Sequence, residues 1–152
     1  MRLHGEYEPS TTAWVREQVE AYETSGGQEA NTLRGRAEWP IVVVTSRGAR
    51  SGKLRKNPVM RVESGGVYAA VASKGGAPEH PVWYYNFLAD PVVEVQDGAE
   101  PRLYRARLAE GAEREEWWER SVALYAPYAE YQEKTDRLIP VFLLEPVDEQ
   151  ER

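Results

Sequence analysis

The residues best equipped for chemistry fall into three groups. The first is the stretch Thr45 to Met60 (TSRGARSGKLRKNPVM), where Arg47, Arg50, Lys53, Arg55 and Lys56 gather around Gly48 and Gly52. The chain as a whole carries a formal net charge of -6, so this local positive charge runs against its surroundings. A basic loop between strand-like segments suits an anion held at the rim of a sheet. The second group is the small-residue loop Ser73-Lys74-Gly75-Gly76-Ala77-Pro78. The third is aromatic: Trp83-Tyr84-Tyr85, then Tyr125, Tyr128 and Tyr131 at a spacing that an unbroken helix would bring to one face. Together they describe a cleft with cationic anchors, backbone donors and aromatic walls, but no strong acid, base or nucleophile. Such a cleft suits a flat anionic cofactor that carries the chemistry itself.

Several reaction classes drop out. With no cysteine in the chain there is no disulfide, thiolate metal site or cysteine nucleophile. The segment after Gly48 fails as a triphosphate loop: only three residues separate Gly48 from Gly52, and Leu54 stands where Ser or Thr should follow the lysine. No G-x-G-x-x-G opens a helix, which leaves a nicotinamide site unsupported. His4 and His80 are far apart, without the carboxylate spacing of a metal site or a Ser-His-Asp arrangement, and no metal is expected. A pI near 5.1 argues against nucleic acid as a partner. No stretch approaches a membrane span and the N-terminus lacks a signal-peptide core, so the expected location is cytoplasmic.

The elements that must position these groups follow from periodicity. At 152 residues, one domain with a real core is expected. Residues 1–9 read as loosely attached. Ser10 is the expected cap of a helix to about Thr24, with Trp14 or Val15, Val19 and Tyr22 on one stripe and Ser25-Gly26-Gly27 as its stop. Residues 26–38 form a connection. Trp39 to Thr45 is a β-branched run, the pattern of a strand buried on both faces. Beyond the basic loop, Pro58 to Glu63 and Val67 to Ala72 form a hairpin around Ser64-Gly65-Gly66. A short helix from Pro81 to about Ala89 leads to strands Val92 to Gln96 and Arg102 to Leu108. A helix from Gly111 runs to Pro127, a second piece reaches about Lys134, and Leu138 to Leu144 is the last strand. That gives about six strands without βαβ alternation: an α+β domain, an antiparallel barrel of small size with flanking helices. Residues 1–38 are an N-terminal helix and connection, 39–146 the core, and 147–152 an acidic tail expected to fray.

Four blocks in order resemble one family: Gly48-Ala-Arg-Ser-Gly-Lys-Leu-Arg-Lys-Asn-Pro58, Val71-Ala-Ser-Lys-Gly-Gly-Ala-Pro78, Pro81-Val-Trp-Tyr-Tyr-Asn86 and Tyr128-Ala-Glu-Tyr-Gln-Glu-Lys-Thr-Asp136. Over roughly Ile41 to Pro146 the chain is similar to the actinobacterial deazaflavin-dependent nitroreductases, split β-barrel (FMN-binding-like) oxidoreductases that use coenzyme F420. The resemblance implies that Ala49, Arg50 and Ser51, with Arg55, Lys56, Asn57, Pro58, Val59 and Met60, hold the cofactor's phosphate and oligoglutamate tail. Guanidinium and ammonium groups suit a string of carboxylates. It implies that Val71, Ala72, Ser73 and Lys74, with Val82, Trp83, Tyr84, Tyr85 and Asn86, line the ring and ribityl chain, and that Tyr128, with Tyr125 and Tyr131, faces the substrate. The implied reaction passes a hydride from reduced F420 to a quinone, nitro compound or unsaturated lactone, with Ser73 and the tyrosine hydroxyls as donors to the developing oxyanion. The alternatives are a non-catalytic F420 carrier and a split-barrel protein binding FMN or haem. The cationic cluster exceeds what one FMN phosphate needs. The expected partner is a small-molecule acceptor, with room for peripheral contact at the inner membrane face to reach quinones, and the chain is expected as a monomer or homodimer.

Overall fold

The computed structural model describes residues 2–147, and the fraying expected of the acidic tail falls, from residue 148 on, outside them. Four helices and seven strands follow one another as α1 (Ala13–Thr24), β1 (Ile41–Arg47), β2 (Leu54–Met60), β3 (Val62–Ser64), β4 (Val67–Val71), α2 (Val82–Ala89), β5 (Val92–Gln96), β6 (Pro101–Leu108), α3 (Gly111–Leu124), α4 (Pro127–Glu133) and β7 (Val141–Pro146). All strands belong to one antiparallel sheet in the order β2-β1-β5-β6-β7-β4-β3. The count is therefore seven rather than six. The expected strand 58–63 is two strands, divided at Arg61. That division closes the fold. β2 and β3 lie at opposite ends of the sheet, yet only Arg61 separates them in the chain, so the sheet must curl until its two edges meet. Arg61 donates its amide to Pro40 at 2.8 Å, and its guanidinium meets Asp97 at 2.9 Å.

β1 shows why the sequence curls this way. Ile41 and Val43 pack into one cluster with Met60, Val62, Val71, Val141 and Leu143, beneath α1, α3 and α4. Val42 and Val44 point the other way, into a second cluster with Tyr68, Phe87, Val93, Val95 and Phe142. A strand with period-two side chains and both faces buried must be apolar throughout, and burying each valine stabilises by about 1.5–3 kcal/mol.

Two expectations are corrected at the N-terminus. Thr12, not Ser10, occupies the cap position of α1, and Ser10 Oγ accepts the Thr12 amide at 3.1 Å. Residues 2–8 are not loose: the Leu54 amide donates to Glu6 O at 2.8 Å, and the Glu8 amide to Leu54 O at 2.9 Å, laying Tyr7 parallel to the outer edge of β2. An unpaired strand edge recruits backbone partners, and this segment supplies them. Its far end is fixed by Glu94, a buried carboxylate that takes the Leu3 amide at 2.5 Å and the Arg2 guanidinium at 3.0 Å.

Candidate active site

β2 starts at Leu54, four residues earlier than its alternation suggests, which turns Arg55, Lys56 and Asn57 from loop residues into strand residues. Loop 48–53 is correspondingly tight. The Gly48 amide donates to Lys53 O at 2.7 Å, the Gly52 amide to Gly48 O at 2.9 Å, and Arg47 reaches Gly52 O at 3.1 Å. Asn86 Oδ1 of α2 accepts the Ala49 amide at 2.9 Å, so the helix and the cationic loop are held as one unit.

Two cavities lie against this unit. The larger, about 600 Å³, is lined by Arg55 and Asn57 to Met60 of β2, Val71, Ser73, Lys74, Val82, Trp83, Asn86, Tyr125, Tyr128 and Tyr131. The smaller, about 560 Å³, is lined by Gly48, Ala49, Arg50, Ser51, Arg55, Val82, Tyr85 and Asn86. Arg55, Val82 and Asn86 face both, so the cavities share a wall. Three of the residues named from sequence stand elsewhere. Ala72 is fully buried, Tyr84 stacks on His80 with ring centroids 3.9 Å apart, and Lys56 turns toward α1, pairing with Glu23 at 2.5 Å.

Sequence reasoning missed a whole wall. Ser10 to Thr12, Trp14 and Val15 line the larger cavity together with Leu33 and Arg34. Trp14 remains 55% exposed at the start of an otherwise docked helix, and the ambiguity between Trp14 and Val15 in the apolar stripe was the available signal. The wall also holds Arg34, a non-glycine residue in the left-handed region at φ 54°.

The Ser73 loop is shaped from outside. Arg137, just beyond the fourth sequence block, donates Nε to Ala77 O at 2.9 Å, Nη1 to Ala72 O at 3.1 Å and Nη2 to Ser73 O at 2.8 Å. Its Nη1 also meets His80 Nδ1 at 3.0 Å. Burial and this guanidinium hold His80 below the usual histidine range, so the ring is neutral at physiological pH. Within the loop, Lys74 sits at φ 46° and Gly76 at φ 83°. A Cβ on Gly76 would lie 2.7 Å from Tyr131 O, so only glycine lets the loop approach α4 this closely.

The tyrosines have two roles at once. Tyr125 and Tyr128 belong to the core, their rings edge to face at 4.9 Å, yet both line the cavity with Tyr131. The Tyr125 and Tyr131 hydroxyls hydrogen-bond at 3.0 Å. Burial, then that hydrogen bond, pushes Tyr125 up to about 12, and burial raises Tyr128 as well. These phenols therefore stay protonated at neutral pH. The raised value has a consequence for stability. Above pH 10 the unfolded Tyr125 ionises while the folded one keeps its proton, so stability is full below pH 10 and falls as pH rises toward 12. The loss from this residue is of order 2 kcal/mol. Urea unfolding at steps from pH 9 to pH 12 is expected to show a shallower alkaline loss in Tyr125→Phe than in the parent chain, and equal slopes would contradict the shift.

A cofactor with an apolar ring and an anionic chain fits the donor set. The larger cavity offers Val59, Met60, Val71, Trp83 and the tyrosines, and the smaller offers Arg50 and Arg55 with the small residues of the loop. Comparison with known proteins agrees. The sequence model of the F420H(2)-dependent quinone reductase family matches residues 14–146. A Mycobacterium tuberculosis protein named as a candidate F420H(2)-dependent quinone reductase is 35% identical over 107 residues, covering 70% of this chain and 90% of its own. An F420H(2)-dependent quinone reductase of the same organism is 31% identical over 121 residues, covering 69% and 72%. Among solved structures, an F420-H2 dependent reductase (FDR-A) superposes with a TM-score of 0.67 at 60% identity, over 70% of this chain and 94% of that one. A domain-swapped dimer superposes with a TM-score of 0.69 at 54% identity, over 90% and 100%. The chain belongs to the F420H(2)-dependent quinone reductase family.

Proposed function

We propose that this chain reduces quinones with reduced coenzyme F420, and that the paired cavities divide the work. The observation that carries the reading is their shared wall at Arg55, Val82 and Asn86, with Arg50 and the tight loop on one side and the apolar residues, Ser73 and tyrosines, beside Arg34 and Lys74, on the other. Arg50 and Arg55 would hold the phosphate and the tail carboxylates. Val59, Met60, Val71 and Trp83 would flank the ring. Bound there, the reduced deazaflavin supplies a hydride. A hydride and one proton convert a quinone to its hydroquinone, with negative charge growing on a quinone oxygen before the proton arrives.

The chain's own groups orient the acceptor, exclude water and meet that charge. The Tyr128 hydroxyl makes no hydrogen bond among the described residues, and Ser73 lines the same cavity, so both hydroxyls would donate to the oxygen. Because the phenols remain protonated, they act as hydrogen-bond donors while the proton itself comes from solvent. A hydrogen bond to a charged oxygen contributes about 1.5–3 kcal/mol, so Tyr128→Phe and Ser73→Ala are each expected to lower kcat for menadione by about tenfold. Unchanged turnover in the double variant would remove both from the mechanism.

Nitro compounds and unsaturated lactones share the electron-poor centre and are proposed as secondary acceptors. Val82, Tyr85 and Leu88 on α2 are at least half exposed, as is Trp14, and all except Leu88 line one of the cavities. They form the surface through which an apolar quinone would enter from the cytoplasmic face of a membrane. No helix among the described residues is long and apolar enough to cross one. In oligomeric state the proposal is a homodimer, supported by the domain-swapped relative. The curled sheet with two cavities against its edge strand β2 supports a split barrel of the FMN-binding kind, and FMN is the cofactor to test against. Fluorescence titration with F420 and FMN, followed by oxidation of F420H2 in the presence of menadione, tests the reading. Tight preference for FMN, or F420 binding without turnover, would overturn it.

A further inference from the structure

Four of the five cations in the basic stretch are already paired within the chain. Arg47 faces Asp90 at 3.6 Å, Lys53 faces Glu6 at 3.2 Å, Arg55 faces Glu8 at 2.9 Å and Lys56 faces Glu23 at 2.5 Å. Only Arg50 has no carboxylate partner among the described residues. Two of these partners, Glu6 and Glu8, come from the strap of residues 2–8, which precedes the family-matched segment 14–146. Glu8 lines the smaller cavity beside Arg50, Ser51 and Arg55. The spacing is that of an extended chain: alternate residues Glu6 and Glu8 meet alternate β2-side residues Lys53 and Arg55, with the Tyr7–Leu54 bridge between them. An extended peptide that presents carboxylates to cations is also a chemical description of an oligoglutamate tail.

Resting on the reading that F420 binds here, we propose that the strap is an internal competitor for the cofactor's tail: Glu6 and Glu8 occupy the cation sites that the tail carboxylates would take, and so set the preference for tail length. The strap is built to hold and to release. Its anchor at one end is a buried carboxylate, Glu94, bound to Arg2 and the Leu3 amide. The competing pairs, by contrast, are exposed, with Glu6 71% and Glu8 43% accessible in their side chains. Exposed ion pairs are individually weak and screened by salt, so tail carboxylates can displace them without unfolding the domain. The carboxylates of a tethered strap nevertheless sit at high effective concentration, which penalises every tail that must push them aside. A deazaflavin without a tail meets no such penalty.

The test compares the parent chain with Glu6→Gln/Glu8→Gln, which keeps the strap's length and backbone bonds. Each is titrated with the tail-less deazaflavin riboside and with F420 bearing several glutamates. The long-tailed form is expected to bind the variant about tenfold more tightly at low salt, about threefold per carboxylate removed, with the gain shrinking as salt rises. The tail-less form is expected to bind both chains equally. Amide exchange at Glu8 is expected to quicken when the parent chain is saturated with long-tailed F420. Equal tightening of both ligands, or none, would overturn the competition, as would unchanged or slower exchange. Failure of the parent chain to bind either deazaflavin would instead overturn the functional reading, and the competition with it.

Discussion

Arg137→Met is expected to lower kcat/KM for quinone reduction by about 100-fold, although Arg137 lines neither cavity. The reasoning begins with what loop 72–80 lacks. It contains two glycines and one proline, a lysine in the left-handed region and no strand partner of its own, so little in its local sequence fixes its path. Its carbonyls at Ala72, Ser73 and Ala77 all converge on one guanidinium. A planar fork of fixed donors can satisfy these acceptors together with His80, and neither an ammonium nor a thioether can. Methionine keeps the apolar stem but leaves the carbonyls of Ala72 and Ala77 without a donor, at about 1–3 kcal/mol for each group left unsatisfied, and leaves Ser73 O with the Gly76 amide alone. The loop would relax, carrying Ser73 and Lys74 away from α4, and a shift of about 1 Å in a reacting group costs about 100-fold. Arg137→Lys should recover part of the stability and little of the rate. Steady-state kinetics beside thermal unfolding of the three proteins checks this. A methionine variant within twofold of the parent rate would show that the loop holds its own shape.

How far the sequence carried the fold depends on which forces set each element. β1 was legible because its burial on both faces demands an unbroken apolar run, and Ile41 to Val44 provides one. β5, β6 and the α2 segment were legible from turn chemistry at Asp97-Gly98 and Asp90-Pro91. The start of β2 was not. Leu54 to Asn57 shows no period-two apolar pattern, because its outer edge is covered by the N-terminal strap and its charged side chains find ion pairs. Those partners lie more than 30 residues away, where no local signal reaches. Arg61 was hidden for the same reason. It looks like one more residue of an alternating strand, and its role as the joint between the two sheet edges follows only from pairing order.

The candidate site divides along the same line. The four blocks named most residues that line the cavities, because loop glycines, prolines and clustered cations announce themselves locally. Arg34 and Arg137 were invisible, and the N-terminal wall left no signal beyond the ambiguity between Trp14 and Val15, because each reaches the cavities or their loop only through tertiary packing. Tyr125, Tyr128 and Tyr131 show that core and site were never exclusive readings. A stripe with its bodies in the core and its hydroxyls at a cavity serves both, and that double use fits the amphipathic character of tyrosine.

The double reversal Arg50→Glu/Arg55→Glu is expected to weaken F420 binding by about 100-fold or more while leaving the domain folded. Arg50 and Arg55 are the cations that line the smaller cavity, and Arg55 also faces the larger one. Both are partly exposed, and neither contributes to either apolar cluster, so the fold has little to lose. Binding has much to lose: each reversal replaces an attraction to phosphate or carboxylate with a repulsion, and close charge pairs at interfaces couple by about 1.5 kcal/mol or more. The natural control is Lys56→Glu. Lys56 carries the same charge one residue away, but it points toward α1, pairs with Glu23 and lies over the Tyr7 ring at 4.8 Å. Its reversal sets two carboxylates against each other between β2 and α1 and should lower thermal stability with little change in cofactor affinity. Titration with long-tailed F420 across a salt series separates the two outcomes. The parent chain's affinity should fall with salt and the double variant's should be nearly flat. If Lys56→Glu weakened binding as much as the double reversal, net charge rather than the cavity would be setting the affinity, and the anchoring role of Arg50 and Arg55 would be lost.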